Sequence, residues 1–257
     1  MSWRRAVLTG ASHGLGRALA FELARRGVDL LLVARGAPAL TQVADELRGL
    51  GVRVEAVSLD VSDTPRLVEL LRAEDAKSPV DLVVANAAVG RTHGFSEHTW
   101  ESFEAALRVN LLGAAATLTA LTNVMVARRS GHLLSISSLS SLTPLPGSAA
   151  YCVPKAGLNM LVDVLRMDLA PHGVTVTNAL LGFVRTRMVA RSTHPMPQLL
   201  SPEEAARGIV SRAEARPREI VLPRALALTV AAFSRLPASV RDRLFSETAR
   251  RFNGGSR

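Results

Sequence analysis

The order of apolar segments predicts an α/β protein, a doubly wound fold with a seven-stranded parallel sheet in a single domain, carrying a short helical C-terminal extension. Three observations lead there. Strand-length runs rich in Val, Leu and Ile alternate with amphipathic helical stretches along the chain. The runs lack strict polar alternation, as expected when helices cover both faces of a sheet. A glycine cluster joins the first run to the first helical stretch, at the turn where such sheets hold ligands.

In chain order, the strand candidates are residues 5–9, 29–34, 53–59, 81–86, 132–137, 175–180 and 219–222. RALAFELARRG, between the first two, reads as a helix. Thr64-Pro65 opens another, with proline in the first turn, where its missing N–H is no loss. Ser201-Pro202-Glu203-Glu204 opens a third and puts two carboxylates at the positive end of the helix dipole. Beyond the last strand, Leu226, Val230 and Phe233 recur at helical spacing, and Val240 and Leu244 follow Pro237. Residues 1–223 should form the main unit, and residues 224–257 a basic amphipathic extension that is not an independent domain.

Composition narrows the function classes. A hydrophobic fraction of 48% and a mean hydropathy of +0.20 exclude a disordered chain. The lone Cys152 cannot close an internal disulfide, and no Cys/His cluster has zinc-ligand spacing, so a metal-free cytoplasmic protein is expected. MSWRRAVLTGAS has too brief an apolar run for a secretory signal. No uninterrupted apolar run approaches the ~18 residues of a spanning helix. The net charge of +9 is uneven: residues 1–206 carry 20 basic and 18 acidic side chains, residues 207–257 carry 11 and 4. Nucleic acid is not an expected partner, because the basic tail has no recognised binding motif and few aromatics for stacking. The tail could instead rest peripherally on an anionic membrane surface, or against another subunit.

The first turn reads Thr9-Gly10-Ala11-Ser12-His13-Gly14-Leu15-Gly16 and leads directly into a helix. Glycines there permit a tight turn and close approach to a pyrophosphate, whose charge the helix N-terminus stabilises. The second strand ends in Arg35, where an enzyme using NAD usually carries a carboxylate for the ribose 2′-hydroxyl. A guanidinium can hold a 2′-phosphate, so NADP(H) is the expected cofactor, with His13 or Arg17 as helpers.

With these residues in place, the chain resembles the short-chain dehydrogenase/reductase family, a Rossmann fold, over nearly all of its length up to residue 223. The family's TGxxxGxG turn is Thr9 to Gly16, and its Asp-Val pair after the third strand is similar to Asp60-Val61. Its Asn-Asn-Ala-Gly segment appears as Ala85-Asn86-Ala87-Ala88, its helix asparagine as Asn110, its serine as Ser138, and its Tyr-x-x-x-Lys pair as Tyr151 and Lys155. The resemblance implies that Gly10, Ser12, His13, Gly14, Leu15, Gly16, Arg35, Asp60, Val61, Asn86, Ala87, Gly182, Val184 and Thr186 contact the cofactor together with Tyr151 and Lys155. It also implies that Thr186 meets the nicotinamide amide and that Asn110 holds a water linking Lys155 to solvent. Ala85, Ala88 and Leu181 depart from the family's pattern, the last standing where proline usually precedes Gly182.

The chemistry can be read without the name. Four residues separate Tyr151 from Lys155, which puts both on one helix face. A nearby ammonium is expected to lower the phenol's pKa from its usual value of about 10 and make Tyr151 a general acid/base. Ser138 would hold the carbonyl oxygen that gains charge as hydride arrives. Tyr151 is the only tyrosine, and Lys155 is one of two lysines beside 29 arginines. A compact ammonium is not interchangeable with a guanidinium beside a phenol and ribose hydroxyls.

Residues 183–200 resemble the family's variable substrate lid, and Met188, Met196, Leu199 and Leu200 would give it an apolar wall suited to a hydrophobic or lipid-like carbonyl compound. Cys152 is expected to be a packed thiol, and His93, His98 and His194 solvated loop residues. The expected activity is hydride transfer between NADP(H) and a carbonyl or secondary alcohol, by a homodimer or homotetramer. The alternatives are an NAD-dependent alcohol dehydrogenase and a non-catalytic cofactor-bound scaffold.

Overall fold

The computed structural model describes residues 3–90, 99–189 and 196–253. Within them, β1 (Arg5–Thr9), β2 (Asp29–Ala34), β3 (Val54–Ser58), β4 (Leu82–Ala85), β5 (Gly131–Ser138), β6 (Val174–Leu181) and β7 (Glu219–Leu222) form one parallel sheet. The order is β3-β2-β1-β4-β5-β6-β7. All seven expected strands are present. Pairing moves the ends: β5 begins at Gly131, a residue with no strand preference of its own, because it lies opposite Val174.

Among the described residues, ten α-helices make the crossovers and the tail: α1 (Gly14–Ala24), α2 (Ala37–Arg48), α3 (Thr64–Lys77), α4 (Trp100–Leu107), α5 (Ala114–Thr119), α6 (Thr122–Ala127), α7 (Ala149–Leu169), α8 (Pro202–Ala213), α9 (Arg224–Ser234) and α10 (Ala238–Asn253). The two helix starts read from sequence are capped as their residues suggest. Asp63 accepts from the Arg66 amide at the head of α3, and Ser201 exchanges hydrogen bonds with Glu204 at the head of α8.

Successive strand residues point to opposite faces, and each face has its own core. Leu30 and Leu32 join Leu8, Val84, Ile136 and Leu181 on the side covered by α1, α2 and α8. Leu31 and Val33 join Val7, Val83, Leu133 and Val176 beneath α3, α5 and α7. The helical stretch Trp100–Ala127, with mean hydropathy 1.5 in its most apolar window, is long and apolar enough to cross a membrane, although no uninterrupted apolar run exists. Averaging tolerates scattered polar residues that a run does not; half of that window is buried inside the protein, as in a core helix.

The N-terminal end of the sheet is held by polar anchors. Arg5, almost fully buried, donates to the Glu74 and Ser78 carbonyls at 2.6 Å each and pairs with the Glu74 carboxylate at 2.8 Å. His132 is enclosed beside Trp3, with ring centroids 5.6 Å apart, and burial pushes its pKa down to about 3. The opposite, C-terminal end is open. Between β1 and β4 the strand order reverses, and there a cleft forms.

Candidate active site

The cleft is a single cavity of about 690 Å³ running from the tip of β2 to the start of α9. All sixteen residues expected to contact the cofactor line it, as does Ser138. The glycine turn explains why side chains are excluded on one wall. A Cβ on Gly16 would stand 2.0 Å from the Gly10 carbonyl oxygen, and Gly14 adopts φ +53°. Asn86 braces this turn, donating through Nδ2 to the Thr9 carbonyl at 3.0 Å, while the Thr9 hydroxyl accepts from the Asn86 and Ala87 amides at 3.1 and 3.2 Å. Thr9 is thus the tie between the ends of β1 and β4.

The start of α1 fits a pyrophosphate. His13 at its N-cap makes no side-chain capping bond, and its first turn carries no acidic residue. Its amides and dipole therefore face the cavity without a competing anion. At the adenosine end, Arg35 is 63% exposed and lies 3.5 Å from Asp60. Burial pushes the Asp60 carboxyl up, but hydrogen bonds from the Ser62 amide and hydroxyl, with Arg35 nearby, outweigh it and hold the group below its ordinary range. His13 bonds Ser12 at 3.0 Å, and burial together with the charge of Arg187 lowers its pKa. Of the two candidate helpers, His13 lines the cavity and Arg17 does not. The Arg17 guanidinium is 2.5 Å from Glu46 and 4.5 Å over the Phe21 ring, outside the cavity.

At the other end, β5 delivers Ser138 and α7 delivers Tyr151 and Lys155. The Ser138 hydroxyl lies 2.8 Å from the Ser140 hydroxyl, 3.3 Å from the Leu181 carbonyl, and hydrogen-bonds Tyr151. Lys155 is buried, donates to the Ile136 carbonyl at 2.7 Å, and sits 5.9 Å from the Tyr151 ring centroid. The expected lowering of the phenol does not occur in the protein alone. Burial pushes Tyr151 up to about 12, against the opposing bond from Ser138 and with Cys152 adding to the rise, while burial pushes Lys155 down to about 8. Desolvation dominates at this buried phenol.

Asn110 lies in a π-helical turn (Arg108–Gly113) between α4 and α5 and is fully buried. Its carboxamide closes on Val89, accepting from the amide at 2.8 Å and donating to the carbonyl at 2.7 Å, behind the cavity wall. Cys152 is half-buried, and burial pushes its thiol up. Met188 lines the cavity, but Met196, Leu199 and Leu200 do not. Leu200 instead pairs with the Phe183–Arg185 backbone and packs on the core, because its amide and carbonyl bridge to that segment. His93, His98 and His194 lie outside the described residues.

Of the lining residues that escaped the sequence reading, four stand at the two ends of the proposed chemistry. Ser140 touches Ser138, and Arg187 faces the glycine turn beside His13. Leu226 and Val230 of α9 close the apolar end. Their helical spacing was visible; nothing local says which surface α9 meets.

The profile of the short chain dehydrogenases matches residues 4–197. An uncharacterized oxidoreductase of Myxococcus xanthus (strain DK1622) is 42% identical over 256 residues, covering 98% of each chain. Among solved structures, a short-chain dehydrogenase from Sphingobium yanoikuyae in complex with NADPH superposes with a TM-score of 0.80 at 27% identity, covering 92% of this chain and 97% of its own. An alcohol dehydrogenase from the archaeon Thermococcus sibiricus, complexed with 5-hydroxy-NADP, gives a TM-score of 0.76 at 31% identity, over 85% of this chain and 95% of its own. Fold, turn and profile agree: the chain belongs to the short-chain dehydrogenase family of oxidoreductases.

Proposed function

We propose that the protein is an NADPH-dependent reductase of hydrophobic ketones or aldehydes, working in reverse on the matching alcohols. The observation that carries this reading is the single cleft, with a capless helix N-terminus and Arg35 at one end and Ser138, Tyr151 and Lys155 at the other. NADP(H), held by the glycine turn and Arg35, would supply or accept the hydride. Ser138 would hold the substrate oxygen through its hydroxyl, and Tyr151 would donate the proton as charge develops there. Buried Lys155 would favour charge on the phenol once Tyr151 has given up its proton. Because Tyr151 holds its proton firmly, reduction should run at neutral pH, whereas oxidation, which needs the phenolate, should rise with pH.

Three features support the finer choices. Arg35 offers a 2′-phosphate a cation that NAD(H) does not need. Met188, Leu226 and Val230 make the substrate end apolar. Val153, Met160, Val164 and Met167 stand exposed along α7 and support a homo-oligomer. The test is turnover of a carbonyl panel followed by NADPH and NADH absorbance. Preference for NADPH with bulky ketones is expected; no turnover of any carbonyl by the folded, cofactor-binding protein would leave the scaffold reading.

A further inference from the structure

Behind the cavity, one side chain ties together the elements that carry Ser138, Tyr151 and Lys155. Asn159 lies four residues beyond Lys155 and eight beyond Tyr151, on the same face of α7. Its Oδ1 accepts from the Ser137 hydroxyl at 2.6 Å and from the Asn178 Nδ2 at 3.0 Å, and its Nδ2 donates to the Ser141 hydroxyl at 2.6 Å. Ser141 in turn donates to the backbone carbonyl of Ser138. Asn159 does not line the cavity.

A carboxamide is one of few groups that can accept two hydrogen bonds and donate at the same time. Here it spans α7, the end of β5, the middle of β6, and the turn after Ser138. The bond from Ser137 anchors the residue between Ile136, whose carbonyl holds Lys155, and Ser138. The bond through Ser141 sets the backbone from which the Ser138 hydroxyl reaches Tyr151. Resting on the catalytic reading above, we infer that Asn159 is a positioning residue that holds Ser138 against Tyr151, acting through Ser141. Without it, Ser137 and Asn178 lose an acceptor in a largely buried place, and the turn after Ser138 is free to shift.

The single tyrosine makes this testable without turnover. In protein labelled at tyrosine Cζ, one carbon resonance reports Tyr151 alone. Asn159→Leu and Ser141→Ala should each move that resonance in the direction that Ser138→Ala moves it. In turnover assays, each should lower kcat, by up to about 10²-fold for a misplacement near 1 Å, with KM and NADPH affinity changed less than about twofold. The double variant should be no worse than the poorer single one, because both act through one link. Should Asn159→Leu fail to fold, Ser141→Ala carries the same reading, since it cuts the link from Asn159 to Ser138 and leaves the Asn159 bonds to Ser137 and Asn178 in place. An unmoved tyrosine resonance, or kcat losses that multiply, overturns the inference. If the wild type reduces no carbonyl, the catalytic reading fails, and the resonance still decides whether Asn159 places Ser138.

Discussion

The two ends of the cleft are built differently. The dinucleotide end is assembled from consecutive βα turns: Thr9–Gly16 after β1, Arg35 after β2, Asp60 and Val61 after β3, Asn86 after β4. Each contribution sits next to its strand in sequence, and parallel pairing alone brings them side by side. The substrate end draws on Ser138 at the end of β5, Ser140 after it, α7, the segment after β6, and α9, some 90 residues from Ser138. Its shape depends on how helices settle over the sheet. One end is polar and set by strand order, the other apolar and set by packing.

Perturbing each end should therefore have separable consequences. The largest is expected at the chemical junction: Tyr151→Phe should lower kcat by about 10²–10⁴-fold, the usual worth of a general acid, with NADPH affinity nearly unchanged in fluorescence titration. Wild-type turnover in that variant would remove Tyr151 from the mechanism. At the polar end, Arg35→Asp should weaken NADPH by on the order of 10–100-fold, the loss of one or two charge-assisted hydrogen bonds plus repulsion, and leave NADH little changed. Equal losses for both cofactors would mean that Arg35 does not read the 2′-phosphate. At the apolar end, Leu226→Ala should raise KM for a bulky ketone by about tenfold while a small ketone is unaffected, as expected for one apolar contact. If both substrates respond alike, α9 is a general support and not a substrate wall.

The smallest effect lies away from both ends. His132 is neutral and buried, with its pKa lowered from 6.5 to about 3. The unfolded chain therefore binds a proton between those values that the folded one does not. The stability associated with the neutral ring is present above pH 6.5 and is lost as pH falls toward 3. His132→Gln should flatten the acid limb of a denaturation-versus-pH curve while leaving kcat at neutral pH alone; an unchanged limb would remove His132 as its cause.

The fold was legible because its signals are local and repeated. Strand cores, proline at helix starts, and the Ser201–Glu204 cap all depend on residues within one turn of each other. The Tyr151–Lys155 pair was legible because helical spacing is fixed by backbone geometry. Which of His13 and Arg17 faces the cavity was not legible, for the converse reason. The place of Arg17 beside the glycine turn is sequential, but helix rotation directs its side chain to Glu46 and Phe21. Leu200 was misjudged as a wall because its backbone bonds to Phe183 and Arg185, across a segment whose return could not be read. The phenol's pKa was misjudged because charge proximity is visible in a four-residue step and burial is not.

By itself, then, the amino-acid order determined the alternation of strands and helices, the glycine turn, the cation after β2, and the shared face of Tyr151 and Lys155. These follow from backbone periodicity and the conformational limits of individual residues. Only the tertiary structure decided that α9 closes the apolar end, that Asn110 is turned to Val89, that Asn159 joins Ser137, Ser141 and Asn178, and that Tyr151 keeps its proton. Those outcomes rest on desolvation and on contacts between segments far apart in the chain, neither of which a residue can report through its neighbours in sequence.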